Sequence, residues 1–138
     1  PFVAINANNV VDQTGQKTAF TVDLEQVLAW NPEIIFLNPE NMDLVNEQYT
    51  QNPDFFSSLK AVQNNKVYTQ LAYNNNYTNV EIALADAYYA GTVVYPDKFK
   101  DINIEQKTDE IFEFLLGEKL YSKYVAAGQG FGSLTIGK

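Results

Sequence analysis

The chain has 138 residues, 46% of them hydrophobic and 14% aromatic, which predicts one globular domain with a real core. Nine Lys, no Arg and seventeen acidic residues give a net charge of −8, which excludes a basic surface for nucleic acid. The absence of Cys and His excludes disulfides, the usual nucleophilic triads and most transition-metal sites. No apolar run approaches the ~20 residues of a membrane span.

The first segment gives weak signals. Residues 2–5 form a short apolar run that predicts a strand. The polar segment 6–18 follows, and Val10 with Val11 can occupy one helical turn within it.

Residues 22–39 give the clearest local pattern, one helix followed by one strand. Asp23 is a suitable N-cap for the helix, because Gln26 stands three residues later and an apolar face follows. Residues 34–37 form a continuous apolar run, which predicts a parallel strand buried on both faces. Asn38 then returns the chain to the surface, and we expect ligand binding near that end of the strand.

A second helix-to-strand pattern follows. Residues 41–51 and 54–63 have the apolar spacing of amphipathic helices, and residues 67–71 suit a strand. Residues 73–77 have no apolar periodicity and no helix formers, so we predict a loop at the end of this strand.

The last part of the sequence predicts three helices. Residues 80–94 are the longest helical pattern, residues 104–116 are amphipathic with Gly117 as the cap, and residues 120–127 are short. Together the elements predict an α/β fold, a three-layer lobe with a mostly parallel sheet flanked by helices. The predicted inward face of the longest helix consists of Val80, Ala83, Leu84, Ala87, Tyr88, Gly91 and Val94.

Three acidic residues on these helices were considered as catalytic acids. Glu81, Asp86 and Asp109 have ordinary amphipathic spacing, which favours solvated helix faces over an active site. We therefore expect no enzymatic activity.

Three stretches, in this order and spacing, resemble a known family. They are VDLEQVL at 22–28 followed by NPEII at 31–35, LKAVQNNKVY at 59–68, and YPDKF at 95–99 with Asp101-Ile102. The chain resembles the C-terminal lobe of the substrate-binding proteins of ABC importers for ferric siderophores, haem and cobalamin.

The resemblance implies a two-lobed protein whose lobes are joined by a long helix and close on a ligand. Residues 1–138 would be the C-terminal lobe, with the N-terminal lobe and connecting helix outside this sequence. The protein would work outside the cytoplasm, in the periplasm or lipid-anchored at the outer face of the cell membrane through an upstream segment. It would have no intrinsic cofactor, and it would deliver an iron siderophore, haem or a cobalamin-like ligand to the importer's membrane subunits.

In this family the loop after the second strand contacts the ligand. The matching residues here are Tyr73, Asn74, Asn75 and Tyr77. Tyr offers a rigid aromatic face and Asn offers both a donor and an acceptor, which suits a large, partly apolar ligand with polar edges. The alternative is a solvated loop whose Asn residues only tolerate unusual backbone angles.

The resemblance assigns roles to two further positions. Glu25 matches the exposed acidic residue that docks to the importer, although a carboxylate in the first turn of a helix is also favoured by the helix dipole. Phe20 lies where some members place an aromatic side chain on the ligand, and core packing is the competing interpretation. Asn38 is a candidate for ligand contact because it follows the first strand at the same sheet edge.

The sequence departs from the family in ways that bear on the ligand. Many siderophore-binding members hold an anionic complex with Arg, so its absence disfavours such a ligand unless the other lobe supplies positive charge. Without His, only Tyr73 or Tyr77 could ligate iron, and we predict no metal site. An isolated interaction or scaffold domain, or an oxyanion- or metal-binding receptor of the same fold, remains as an alternative.

Overall fold

The computed structural model describes residues 1–74 and 77–137, and the chain divides into two compact units. Pro1–Asn8 and Gln70–Phe131 form the first, which we call the helical unit. Asn9–Thr69 and Gly132–Lys138 form the second, the sheet unit. No helix in the described ranges is both long and apolar enough to cross a bilayer.

The sheet unit begins with a 3-10 turn at Val10–Thr14, as the sequence indicates, and continues into α1, Leu24–Trp30. The predicted N-cap of α1 is confirmed, because Asp23 Oδ1 accepts the Gln26 N–H at 2.7 Å. Asn31 ends the helix in the left-handed region with φ of +41°.

Two parallel strands make up the sheet, β1 at Ile35–Leu37 and β2 at Val67–Thr69. Their carboxyl ends lie at the same edge, with Leu37 opposite Thr69. Residues 132–134 add an antiparallel bridge between Tyr68 and Ser133. The fold class is therefore α/β, as predicted, with helices flanking a small parallel sheet.

The predicted burial of β1 on both faces is wrong for the described residues. Every position of the strand is only half-buried, whereas Val67 and Thr69 of β2 are 2% and 3% exposed. The apolar run correctly predicts a strand, but the burial of that strand depends on which side chains pack over it. In the sheet unit Leu24 of α1 stays 37% exposed and Leu44 stays 59% exposed, so the cover is incomplete.

The helix predicted at residues 54–63 is two helices. After a 3-10 turn at Pro39–Asn41 and α2 at Met42–Gln51, α3 spans Pro53–Ser58 and α4 spans Lys60–Gln63. Leu59 separates them in extended geometry, with ψ of 127°, and is only 2% exposed. Breaking the helix places the Leu59 side chain in the core.

The helical unit contains α5 at Val80–Val94, α6 at Ile104–Leu116 and α7 at Tyr121–Ala126. Its core is built around Leu71, Ile82, Phe112 and Tyr121. Gly117 caps α6 with φ of +80°, as predicted.

Two predictions for the helical unit are wrong. The run at residues 2–5 is a 3-10 turn at Val3–Ile5 in which Val3 is 85% exposed, because four apolar residues cannot distinguish a strand from a turn. The inward face of α5 is also wrong at two positions, because Val80 is 54% exposed and Leu84 is 43% exposed, whereas Ala87 and Gly91 are buried as predicted. The residues that α5 buries are Ile82, Ala85, Asp86, Ala87, Tyr89, Ala90 and Gly91.

Candidate functional site

The predicted ligand loop, residues 71–78, is tied to the core of the helical unit near its start. Leu71 is 2% exposed, and its backbone N–H donates to Asp86 Oδ1 at 2.9 Å. The far end is closed by the backbone N–H of Asn79, which donates to the Tyr73 carbonyl at 2.7 Å. One hydrogen bond therefore ties the start of the loop to α5, and another ties Tyr73 to the residue before α5.

The side chains of this loop divide between packing and exposure. Tyr73 is half-buried and packs against the core around Leu71 and Phe112. Asn74 is exposed, and its Oδ1 accepts a hydrogen bond from Thr78 Oγ1 at 3.3 Å. Tyr77 is 88% exposed, which leaves its aromatic face available to a ligand. Asn75, the fourth predicted contact, lies outside the described residues.

Asp86 lies near this loop in an environment that its spacing does not predict. The amphipathic spacing predicts a solvated helix face, but Asp86 is only 2% exposed. Burial raises the pKa of the Asp86 carboxyl group from 3.8 to about 7, with the Leu71 hydrogen bond and the N-terminal amine acting in the opposite direction. Its Oδ2 has no hydrogen-bond partner among the described residues. The apolar composition around the whole of α5 hid which face points inward.

The other two acidic residues, Glu81 and Asp109, accept hydrogen bonds from residues at helix starts. Glu81 Oε1 accepts from Asn79 Nδ2 at 3.3 Å, next to the start of α5. Asp109 Oδ1 accepts the Tyr121 N–H at 3.0 Å, where α7 begins. Across residues 1–74 and 77–137, no three acidic side chains converge on a common point that could hold a metal ion.

The remaining predicted site residues belong to the sheet unit. Asn38 follows β1 and caps the next 3-10 turn, because its Oδ1 accepts the Glu40 N–H at 3.1 Å and its Nδ2 donates to Glu40 Oε2 at 3.3 Å. Phe20 is 39% exposed and lies outside regular secondary structure. Glu25 is exposed in the first turn of α1.

The sheet unit also contains an apolar pocket that the sequence analysis did not anticipate. The pocket has a volume of about 270 Å³, and α1, β1, α2 and α3 line it together with Ile136. Its walls include Leu24, Leu37 and Phe55, and Gln48 is the polar residue among them. A small-molecule site normally adds several convergent polar groups to an apolar wall, so we assign this pocket no ligand.

Tyr73, Asn74 and Tyr77 belong to the same loop of the helical unit. Phe20 and Glu25 are on separate segments of the sheet unit, before and within α1.

Comparison with known proteins supports the architecture. No protein-family model matches the chain. A crystal structure of a periplasmic solute-binding protein from Veillonella parvula matches 90% of this chain with a TM-score of 0.65 and 19% sequence identity. This chain has the fold of a solute-binding protein lobe. It spans 38% of the length of that protein.

A sequence relative carries a related name. The molybdate-binding protein MolA of Haemophilus influenzae is 23% identical over 94 residues, which are 67% of this chain and 26% of that protein. The chain thus spans about a quarter of the length of this relative. Both proteins are named for binding a solute.

Proposed function

We propose that this chain is a ligand-contacting lobe of an extracytoplasmic substrate-binding protein, which captures a small molecule and delivers it to the membrane subunits of an ABC importer. The observation that carries the proposal is the match to a periplasmic solute-binding protein over 90% of the chain. The name of the molybdate-binding relative points to the same class of function. The proposal assigns capture and delivery to the chain, and no catalysis.

Within the lobe, we assign ligand contact first to the 71–78 loop. Tyr77 is 88% exposed and Asn74 of the same loop is also exposed, so an aromatic face and an amide group are both accessible. Such surfaces stack on planar or ring-containing ligands and hydrogen-bond to their polar edges. Tyr73 supports the loop through its packing on the core.

The ligand class we propose is a metal complex, namely a ferric siderophore, haem or a cobalamin-like corrinoid. These molecules are large and partly apolar, which suits a loop that presents Tyr and Asn and no charged residue. The choice is supported by the resemblance to the substrate-binding proteins of importers for these ligands, which rests on residues 22–28 and 31–35, 59–68, and 95–99 with 101–102.

An oxyanion is the second candidate, and the molybdate-binding relative favours it. The hydroxyl of Tyr77 and the amide of Asn74 are neutral donors that can hydrogen-bond to an oxyanion without Arg. The net charge of −8 gives such an anion no long-range attraction, so close hydrogen bonds would supply the affinity.

Binding of named probes by the full-length protein tests the proposal. We expect one of molybdate, a ferric hydroxamate siderophore, haem or cyanocobalamin to raise the melting temperature or quench the Trp30 fluorescence. Tyr77→Ala should weaken that binding, whereas Phe114→Ala, which removes an aromatic side chain of similar exposure (88% against 86%) from α6, should not. A flat response to all four probes would contradict the proposed ligand classes.

Contact with the importer is assigned to Glu25. Its carboxylate is exposed at the start of α1, where it can reach a basic pocket on a membrane subunit. Glu25→Ala should leave ligand affinity unchanged and reduce uptake into cells. Glu33→Ala removes an equally solvent-facing carboxylate from the turn before β1 and serves as the control. Equal uptake by the two variants would remove the assignment.

A further inference from the structure

The middle of α5 contains a buried carboxylate that packing alone does not explain. Asp86 is 2% exposed and lies beside Ala85 and Ala87, which are also buried. Ionisable groups are rarely buried without a partner, because removing them from water is costly. Among the described residues this carboxylate accepts one hydrogen bond, which the Leu71 N–H donates to Oδ1 at 2.9 Å.

That hydrogen bond acts on the backbone at the first residue of the 71–78 loop. The Leu71 N–H is buried and lies beyond the end of β2, so no strand partner is there to accept it. A buried N–H without an acceptor is strongly disfavoured, so the position of Asp86 determines where the loop leaves the core. The link joins residues 15 positions apart, and it is therefore a tertiary constraint.

The loop has its second fixed point nearby. Asn79, the residue before α5, donates its backbone N–H to the Tyr73 carbonyl at 2.7 Å. Leu71 is thus held to the middle of α5 and Tyr73 to the residue before α5, and the exposed residues Asn74 and Tyr77 lie between Tyr73 and Asn79 in the sequence.

We propose that Asp86 is a positioning residue for the ligand loop, whose buried carboxylate holds the Leu71 backbone and thereby sets where Tyr73, Asn74 and Tyr77 meet the ligand. This inference rests on the proposed function for its role in binding, but the anchoring itself does not depend on any ligand. A side chain that only filled space at position 86 could be apolar, and it would leave the Leu71 N–H without an acceptor. The Asp86 oxygen can accept a directional hydrogen bond from the Leu71 N–H whether the carboxyl group is ionised or neutral.

Amide hydrogen exchange in the full-length protein tests the anchor without a ligand. Asp86→Leu has a similar shape and no acceptor, and Asp86→Ala is the second variant in case the Leu side chain does not fit. Loss of a buried hydrogen bond should speed exchange at residues 71–79 by about tenfold relative to the amides of α6. Asp86→Asn keeps an oxygen acceptor and should restore the ratio of loop exchange to α6 exchange to within about threefold of the wild-type ratio.

Ile82→Val is the matched control, because Ile82 is 4% exposed on the same helix and contacts the same core. It lowers stability without touching the Leu71 hydrogen bond, so it should speed exchange in the loop and in α6 by the same factor. If the two Asp86 variants without an acceptor show the same uniform pattern as Ile82→Val, the anchor is overturned.

The binding arm uses whichever of molybdate, ferric hydroxamate siderophore, haem or cyanocobalamin binds the wild-type protein. Asp86→Leu should raise the Kd for that probe by about tenfold, the factor expected for one buried hydrogen bond. Ile82→Val should leave the Kd unchanged. Equal affinities would contradict the positioning role. If none of the four binds the wild type, the proposed function fails, while loop exchange still decides the anchor.

Discussion

The carboxyl group of Asp86 should make the protein less stable as pH rises, and Asp86→Asn should remove this dependence. Burial raises the pKa of this group from 3.8 to about 7 in the folded state. The folded protein therefore retains a proton that the unfolded chain releases above about pH 4. The stability associated with the neutral carboxyl group is complete below the unfolded pKa of 3.8, and it is lost as pH rises through the folded pKa.

The size of the effect follows from the interval between the two pKa values. A rise from 3.8 to about 7 corresponds to a loss of up to about 4 kcal/mol in the free energy of unfolding. Domains of this kind are stable by about 5–15 kcal/mol in total, so the loss is easily measured. Asn is neutral at every pH but leaves amide donors without a partner, at a cost of about 1–3 kcal/mol.

Urea denaturation of the wild type and Asp86→Asn between about pH 4 and about pH 8 measures this difference. Subtracting one free energy of unfolding from the other cancels the titration of all other groups. The variant should be equal to or less stable than wild type at the acid end and more stable at the alkaline end. Thr108→Val, which alters a fully buried polar side chain on α6 that cannot titrate, should give a pH-independent difference. A pH-independent difference for Asp86→Asn would refute the reasoning.

Three further substitutions test the packing by denaturation. Asn31→Ala puts Ala at a left-handed helix cap with φ of +41° and removes the acceptor for the Lys60 N–H at 2.9 Å. The free energy of unfolding should fall by about 1–2 kcal/mol, and unchanged stability would show that neither contribution matters. Phe112→Ala empties a fully buried site and should cost about 3–5 kcal/mol, so a loss below about 1 kcal/mol would contradict its place in the core. Gly137→Ala puts a Cβ 2.6 Å from the Tyr49 ring at φ of +86° and should cost at least about 1 kcal/mol, and unchanged stability would be inconsistent with that close approach.

Local signals were sufficient to predict most helix boundaries. Asp23 and Gly117 act at single positions through the backbone N–H and φ requirements of helix ends, so their effect can be read without tertiary information. The α/β class followed from the alternation of helical and strand patterns. The break at Leu59 could not be predicted, because it depends on the tertiary cavity that this side chain fills.

The apolar periodicity of α5 does not predict which face of the helix is buried. Apolar residues lie all around this helix, so a buried Asp86 and an exposed Leu84 fit the pattern as well as the reverse. The core of the helical unit joins Ile82 of α5 to Phe112, which is distant in sequence. The location of the 71–78 loop after β2 was predictable from the strand end, but its anchoring to Asp86 was not.

The ligand assignments of Phe20, Asn38, Tyr73, Asn74, Asn75 and Tyr77 stay predictions. For Asn38 the structure adds a competing role, since its amide is engaged in capping a turn with Glu40. Asn38→Ala therefore combines a local stability effect with any effect on binding, and Tyr77 is the cleaner position to vary.

Calorimetric titration of the full-length protein with the four probes, in the wild type and Tyr77→Ala, tests the central claim most directly. We expect saturable binding of one probe by the wild type, weaker binding by Tyr77→Ala, and unchanged binding by Phe114→Ala. Saturable binding that Tyr77→Ala leaves intact would contradict the role of the loop, and no binding of any probe would contradict the proposed ligand classes.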